Sequence, residues 1–240
     1  MPSERRWEPL GASVGVYTAP GFTFGTDALL LAQFALRCVP RARRLTDLGT
    51  GCGVIPMLWA QACPDAAICA IELQRAGAEL AAAGVQRSGV ADRVQVICGD
   101  LRTWAVPPSE RFDLVACNPP YFRSDAGASA PGTARRLART DETCTLCDAA
   151  AAAARLLRGT GWYCTILRVE RLCEAIDATR GAGLEPKRLQ LVQADAAHAP
   201  KLALLAARRN GRPGLAVEPT RMLGTAVHSQ ERGGNVENPV

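Results

Sequence analysis

Lysine and long apolar runs are both scarce in this chain of 240 residues. Only Lys187 and Lys201 are lysines, so 26 of the 28 basic residues are arginines, and the formal net charge is +5. This modest positive charge permits a nucleic-acid partner without requiring one, and a high arginine content can reflect genome composition alone. No apolar run approaches the roughly 18 residues that a bilayer-spanning helix needs. The first eight residues, MPSERRWE, lack the apolar core of a signal peptide, so we expect a cytoplasmic protein without a membrane partner.

The ten cysteines lack the pattern of a disulfide framework. A chain of this length without an export signal is typical of the reducing cytosol. Cys144 and Cys147 form a single Cys-x-x-Cys, but no second pair with matching spacing exists, so we expect no metal site. Four others lie in apolar, strand-like runs, where a free cysteine acts as a small hydrophobic residue: Cys69, Cys98, Cys117 and Cys164.

The stretch TDLGTGCG (residues 46–53) has the pattern of a strand followed by a glycine-rich turn. Leu45 and Leu48 are typical of a buried strand, and the glycines permit a tight turn where the backbone comes close to a ligand. The apolar run 54–60 then favours a helix packed on a sheet. A strand, a glycine-rich turn and a helix make the first unit of a doubly wound α/β nucleotide-binding fold.

A second stretch, residues 112–117, is predicted to be a buried strand and ends in the tetrad NPPY (residues 118–121). Together the two stretches resemble the class I S-adenosylmethionine (SAM)-dependent methyltransferases. The tetrad resembles that of the members which methylate a planar amino or amide nitrogen. The resemblance implies an α/β, Rossmann-like fold with a mostly parallel seven-stranded sheet, helices on both faces, and SAM as the cofactor.

A dinucleotide is the rival ligand for the glycine-rich turn. Its fingerprint is Gly-x-Gly-x-x-Gly, and counting from Gly49 places Val54 where the third glycine would stand. The spacing therefore disfavours NAD, whereas Asp47 just before the turn matches the methyltransferase pattern.

Acids after two further predicted strands complete the cofactor pocket that the resemblance implies. Glu72 follows strand 67–71, 19 residues after Gly53, where an acid accepts hydrogen bonds from ribose hydroxyls. Asp100 follows strand 94–98 and is expected to accept a hydrogen bond from the adenine amino group, with capping of the next segment as the alternative. Thr26 and Asp27 are expected either to cap the helix that follows them or to line the amino-acid end of SAM. The expected cofactor residues are Thr26, Asp27, Asp47, Gly49, Gly51, Gly53, Glu72, Leu73, Asp100, Leu101 and Asn118.

The NPPY tetrad has a mechanical interpretation. Its two prolines restrict φ and carry no backbone donors, and Asn118 is held extended by the proline after it. The tetrad can therefore aim the Asn118 side-chain oxygen and the Pro119 carbonyl at one NH₂ group, whose lone pair would then face the methyl group. Tyr121 can stack on the base, which must be flipped out of any stack or presented in a loop. Asn118, Pro119 and Tyr121 are the expected catalytic residues, with a rigid turn as the purely structural alternative.

The resemblance narrows when further segments are included. GFTFGTDALLLAQFA (21–35), the 47–53 loop, NPPYF, ARTD (138–141) and PKRL (186–189) occur in that order. This resembles the bacterial tRNA(Val) adenine-N6 methyltransferase family, which modifies adenine 37 beside the anticodon, and it covers residues 10–218. Asp141 stands where that family usually has Glu, and VEPT (217–220) departs from its usual Pro-Pro-Leu type of ending. The implied partner is RNA, specifically tRNA.

The region after Asn118 is a loop by composition and is expected on the substrate side. Its arginines are candidate phosphate contacts, although each could equally be a solvated charge, and Arg139 could pair with Asp141 instead. The expected substrate-binding residues are Pro120, Tyr121, Phe122, Arg123, Arg135, Arg136 and Arg139.

Three alternatives to an RNA adenine-N6 methyltransferase remain. A release-factor glutamine N5-methyltransferase uses the same tetrad but carries a sizeable helical domain first, and only 46 residues precede Asp47 here. The others are a guanine-N2 rRNA methyltransferase and a SAM- or RNA-binding protein without catalysis, whose sign would be a damaged tetrad. We expect a single domain over residues 1–225, with 1–40 as a cap segment packed on it and 226–240 as a flexible tail. The oligomeric state is left open.

Overall fold

The computed structural model describes residues 4–119 and 144–224. A two-stranded antiparallel hairpin, β1 (Arg6–Pro9) with β2 (Gly15–Thr18), precedes the main sheet. The helices are α1 (Thr26–Cys38), α2 (Val54–Ala62), α3 (Arg75–Arg87), α4 (Leu146–Leu156) and α5 (Leu172–Gly181). The strands of the main sheet are β3 (Arg44–Leu48), β4 (Ala67–Glu72), β5 (Val94–Cys98), β6 (Phe112–Cys117), β7 (Leu157–Arg168), β8 (Leu184–Gln193), β9 (Leu202–Arg209), β10 (Ala216–Val217) and β11 (Arg221–Met222). Short 3-10 turns lie at Pro108–Glu110 and Val169–Arg171.

The main sheet runs in the order β10–β8–β9–β7–β6–β3–β4–β5, and β11 also pairs with β8. The five strands from β5 to β7 are mutually parallel, whereas β9 is antiparallel to both of its neighbours. This order confirms the expected doubly wound α/β class with a mostly parallel sheet. The strand β3 lies between β4 and β6. The chain adds β4 and β5 on one side of β3 and then β6 and β7 on the other, and ligands bind where the strand order reverses in this way.

The expected strand count of seven was wrong, because the sheet contains nine strands within the described residues. The two additional strands, β10 and β11, have two residues each and extend the sheet beside β8. The Glu218 N–H donates to the Leu189 carbonyl at 2.8 Å, and the Glu218 carboxylate accepts from Arg188 Nε at 2.5 Å. Val217 and Met222 are more than half exposed, so these strands lack the buried apolar alternation that would identify them from sequence.

Hydrophobic side chains cover both faces of the sheet in two clusters. One contains the buried faces of α1 and α2, including Phe34 and Trp59. The other contains α4 and α5, in which the alanines from 149 to 153 that face the sheet are fully buried. Helices on both faces are therefore confirmed, and the carboxyl ends of the parallel strands are left open at one edge. The single-domain assignment of residues 1–225 stays a prediction, and the expected tail at 226–240 lies outside the described residues.

Three glycines lie inside regular elements. Gly84 lies inside α3, which continues to Arg87, and Gly159 and Gly161 lie inside β7. A Cβ on Gly84 would lie 3.3 Å from the Gly15 carbonyl, and one on Gly161 would lie 3.0 Å from the Phe112 carbonyl. These glycines therefore permit close approach of neighbouring backbones, which a local sequence pattern does not reveal.

No helix in the described ranges is both long enough and apolar enough to cross a membrane.

Candidate cofactor pocket and active site

A cavity of about 330 Å³ lies at the carboxyl ends of β3, β4 and β6. This is the switch point of the sheet, where a doubly wound fold binds its ligand. Most residues predicted for the cofactor, and two of the three predicted catalytic residues, line it: Asp27, Asp47, Gly49, Gly51, Glu72, Leu73, Asp100, Leu101, Asn118 and Pro119. Residues that are far apart in the sequence are thus brought together in one site.

The glycine-rich turn leaves open space on the cavity side of its backbone. The N–H groups of Gly49 and Thr50 both donate to the Ile71 carbonyl at 2.9 Å, which ties the turn to the end of β4. Gly49 and Gly51 have φ of 72° and 56°, and no atom of the described residues lies within 4 Å of where a Cβ would stand. A ligand can therefore approach this backbone closely, and side chains would both strain the turn and fill the space.

Two of the predicted cofactor residues do not line the cavity. Gly53, at φ 91°, is the N-cap of α2, and a Cβ there would lie 3.1 Å from the Ala81 side chain, so this glycine permits close packing of α2 against α3. Thr26 is the first residue of α1, whose N-cap is Gly25 in an extended conformation without a side-chain capping bond. The prediction that Thr26 or Asp27 is the N-cap was therefore wrong, since the helix begins one residue earlier than expected.

Glu72, at the end of β4, is buried and braced by the backbone on two sides. Its Oε2 accepts from the Gly51 N–H at 2.8 Å, and its Oε1 accepts from the Gln74 N–H at 2.8 Å. An ionised carboxylate offers about four lone-pair positions, so about two remain for ligand hydroxyls. The two backbone bonds hold the carboxylate in one orientation at the cavity wall before any ligand arrives.

Asp47, at the end of β3, is a buried carboxylate with an unsatisfied oxygen. The residue is 1% exposed, and its Oδ1 has no hydrogen-bond partner among the described residues. Burial raises the pKa of Asp47 to about 7; the Thr50 hydroxyl opposes this shift and the nearby Glu72 carboxylate adds to it. An orphaned buried carboxylate that lines a cavity requires a compensating ligand group, and a cationic one would stabilise its charged form.

Asp27 and Asn118 are joined by a hydrogen bond across the cavity. The Asn118 Nδ2 donates to Asp27 Oδ2 at 3.1 Å, and Asp27 Oδ1 accepts from the Ala28 N–H at 2.9 Å. Both residues are half-buried, and Pro119 beside Asn118 is buried. The carboxylate can only accept, so the amide nitrogen of Asn118 faces Asp27 and its oxygen is directed elsewhere.

Asp100 lines the cavity, but its carboxylate is engaged by its own loop. Arg102 donates to it through Nε at 3.0 Å and through Nη2 at 2.6 Å, and the Arg102 N–H donates to Oδ1 at 2.9 Å. These bonds from Arg102 hold the pKa of Asp100 below its ordinary value. The alternative of a residue that caps the next segment is thus realised in the structure, and the contact with an adenine amino group stays a prediction.

Several residues that line the cavity were missed at the sequence level. Phe22 and Phe24, in the loop before α1, bring aromatic surface to the site, and Cys144 lines it from the start of the α4 region. A Cβ on Gly77 would lie 2.6 Å from the Phe22 ring and 3.0 Å from Glu72 Cγ. A glycine inside a helix is the signal that could have indicated this close approach.

The remaining predictions concern the cysteines, a metal site and residues outside the described ranges. None of the ten cysteines forms a disulfide, and the described ranges contain no cluster of three or more side chains that could hold a metal ion. Arg139 and Asp141, whose pairing is the alternative to an RNA contact, lie outside the described residues. The predicted catalytic and substrate residues outside the described residues are Pro120, Tyr121, Phe122, Arg123, Arg135, Arg136 and Arg139.

The chain is similar in sequence to known methyltransferases. The family model described as "Methyltransferase small domain" matches residues 9–145. A tRNA1(Val) (adenine(37)-N6)-methyltransferase of Cronobacter sakazakii is 35% identical over 144 residues, and this match spans 60% of the chain and only 57% of that relative. A protein of the same name from Tolumonas auensis is 33% identical over 186 residues, which is 75% of the chain and 74% of the relative.

The fold also matches solved structures. A predicted O-methyltransferase, protein Atu636 from Agrobacterium tumefaciens, superposes with a TM-score of 0.65 at 24% identity, covering 84% of this chain and 90% of its own. At that identity the likeness establishes the fold alone. Because the family model matches more than half of the chain, and a relative above 30% identity aligns over about three quarters of both proteins, the chain belongs to the methyltransferase small domain family.

Proposed function

We propose that this protein is a SAM-dependent methyltransferase that transfers a methyl group to the exocyclic N6 of an adenine in RNA, most specifically in tRNA next to the anticodon. One observation carries the proposal: the amide of Asn118 and the braced carboxylate of Glu72 line the same cavity at the switch point of the sheet. The Asn118 amide would hold the substrate amine, and the Glu72 carboxylate would bind the ribose of the cofactor. Methyl transfer to an amine requires both groups in one site.

The residues of the cavity fit SAM, which combines a ribose, a base, a sulfonium and an amino acid. Glu72 offers lone pairs to the ribose hydroxyls, and the open backbone of the glycine-rich turn admits close approach. The unsatisfied Asp47 oxygen fits a cationic group. Leu73 and Leu101 line the same cavity and offer apolar surface to a base, and Leu73 is 44% exposed.

The chemistry follows from the acceptors beside the cavity. When bound, SAM supplies an electrophilic methyl group on a sulfonium. The Asn118 oxygen and the Pro119 carbonyl hold the two hydrogens of the substrate amine, whose lone pair is otherwise delocalised into the ring. Holding both hydrogens would favour a pyramidal nitrogen whose lone pair is available to a methyl donor. Because the nitrogen sheds its proton only after alkylation, Asn118 need not act as a base, and positioning supplies most of the rate.

The substrate assignment rests on relatives and on charge. Relatives that share up to 35% identity carry the name tRNA1(Val) (adenine(37)-N6)-methyltransferase, and the chain has a net charge of +5, which suits an RNA partner. The cytoplasmic location inferred from the sequence agrees with a tRNA substrate and stays a prediction.

The test uses purified protein, methyl-labelled SAM and an unmodified tRNA(Val) transcript. A matched transcript with guanosine at position 37 is the RNA control, and Asn118→Ala is the protein control. We expect label in N6-methyladenosine, identified by nucleoside mass spectrometry, only with the adenosine transcript. We expect Asn118→Ala to bind SAM nearly normally and to turn over roughly 100-fold more slowly or worse. Label at another nucleotide would refute the N6 assignment, and label on a release-factor peptide instead would select the glutamine N5 alternative.

A further inference from the structure

We propose that Asp27 is a positioning residue that sets the orientation of the Asn118 amide for the reaction. The inference deepens the proposed function and rests on it. At the sequence level Asp27 is expected either to cap the helix that follows it or to line the amino-acid end of the cofactor. The structure instead connects its carboxylate to the residue that would hold the substrate amine.

The hydrogen-bond geometry makes Asp27 a fixed support. Its Oδ1 accepts from the Ala28 N–H at 2.9 Å, one of the backbone donors that the first turn of a helix leaves without a partner. The helix α1 behind it is anchored in the core, since Ala28, Leu30 and Leu31 are buried. The other oxygen, Oδ2, accepts from Asn118 Nδ2 at 3.1 Å, although the two residues are 91 positions apart.

Orientation matters because a side-chain amide has two ends of nearly equal shape and opposite hydrogen-bonding character. Only the oxygen of Asn118 can hold the hydrogens of an amine; with the amide reversed, its NH₂ would face the NH₂ of the substrate. A carboxylate accepts and cannot donate, so Asp27 selects the orientation in which Nδ2 faces it. The charged acceptor strengthens this selection relative to a neutral partner.

The first test separates positioning from cofactor binding. Asp27→Ala removes the acceptor that selects the amide orientation. We expect kcat at saturating SAM and tRNA to fall by about 10- to 100-fold, as for misplaced reacting groups. The matched control is Asp65→Asn, which removes an exposed carboxylate whose side chain is 76% accessible and which pairs with Arg43 in a surface ion pair. A variant with normal kcat at saturation, whatever its SAM affinity, would overturn the proposal.

The second test exchanges the two side chains and needs no catalysis. Asn118→Asp alone places two carboxylates about 3 Å apart, where like charges raise the pKa of the pair. Its melting temperature should therefore fall further below wild type at pH 8 than at pH 5. The double variant Asp27→Asn, Asn118→Asp restores a donor–acceptor pair with the amide on the other side. We expect it to recover most of the loss at pH 8.

The remaining acids of the cavity do not confuse this comparison. Asp47 on β3, Glu72 on β4 and Asp100 after β5 are present in wild type and in both variants, so their titration cancels. The single variants Asp27→Asn and Asn118→Asp are measured beside the double variant. If the double variant loses as much stability as the two single variants summed, the side chains do not interact and the proposal fails. If wild type methylates no RNA but the exchange recovers stability, the proposed function fails while the Asp27–Asn118 contact stands.

Discussion

At the scale of single residues, Asp47 links the pocket to a pH dependence of stability. Burial raises its pKa from 3.8 to about 7, so between about pH 4 and pH 7 the folded protein holds a proton that the unfolded chain has released. The folded state therefore binds more protons than the unfolded state in this window, and stability from this group falls as pH rises. The full cost is present above about pH 7, where the buried group is charged.

Asp47→Asn should remove that cost. We expect the melting temperature of the ligand-free variant, relative to wild type, to increase from pH 5 to pH 7 and then level off. Thermal unfolding across pH 5 to 8 measures it, with Asp65→Asn as the control for loss of an exposed carboxylate. A difference that stays constant across this range would show that Asp47 does not titrate there.

Glu72 is the residue whose substitution should most directly weaken binding of the cofactor. Glu72→Gln keeps the shape of the side chain but places an NH₂ group against one of the two N–H donors, of Gly51 or Gln74, that now face oxygens. Hydrogen bonds to charged groups are worth about 1.5–3 kcal/mol, so we expect SAM affinity to fall by roughly 10- to 100-fold. Calorimetric titration measures it. A folded variant with unchanged SAM affinity would remove Glu72 from the ribose site.

At the scale of elements, the pocket wall depends on how closely α3 approaches the loop before α1. Gly77→Ala would ordinarily stabilise a helix by about 1 kcal/mol. Here the new methyl would lie 2.6 Å from the Phe22 ring and 3.0 Å from Glu72 Cγ, so one of them must move. We therefore expect Gly77→Ala to lower both the melting temperature and SAM affinity.

The chain offers a matched control for this substitution. Gly181, at the end of α5, has no atom within 4 Å of a Cβ position, so Gly181→Ala should be neutral or slightly stabilising and should leave SAM affinity unchanged. Equal effects of the two substitutions in thermal unfolding and SAM titration would show that the contact at Gly77 does not shape the pocket.

At the scale of the whole molecule, the topology brings three strand ends to one cavity, and a ligand that binds there stabilises the folded state by mass action. At a ligand concentration 100 times the dissociation constant, SAM and its demethylated product should each stabilise the folded state by about 2.7 kcal/mol. Each should therefore raise the melting temperature. NAD at the same concentration should not, because the glycine spacing disfavours a dinucleotide. A larger shift with NAD than with SAM would reverse the cofactor assignment.

The sequence by itself was sufficient for the central strands and for the order of the polar groups that follow them. The strands β5 and β6 begin and end at the predicted residues, and Glu72 ends β4, because a short apolar run followed by a glycine or an acid is a local signal. The same signal placed Asp47, Glu72 and Asn118 at one sheet edge, since parallel strands share their carboxyl ends.

Only the tertiary structure decided what those residues touch. The hydrogen bond from Asn118 to Asp27 joins residues 91 positions apart, and the contact of Phe22 with Gly77 depends on the packing of a loop against a helix. Likewise, Arg102 donates hydrogen bonds to the Asp100 carboxylate within a loop, where the sequence has no hydrophobic periodicity to predict such a contact. Periodicity reports which face of an element is buried, whereas the partner of each polar atom depends on the three-dimensional arrangement of several elements at once. The kind of site was therefore determined locally, and the orientation of the Asn118 amide was determined by the fold.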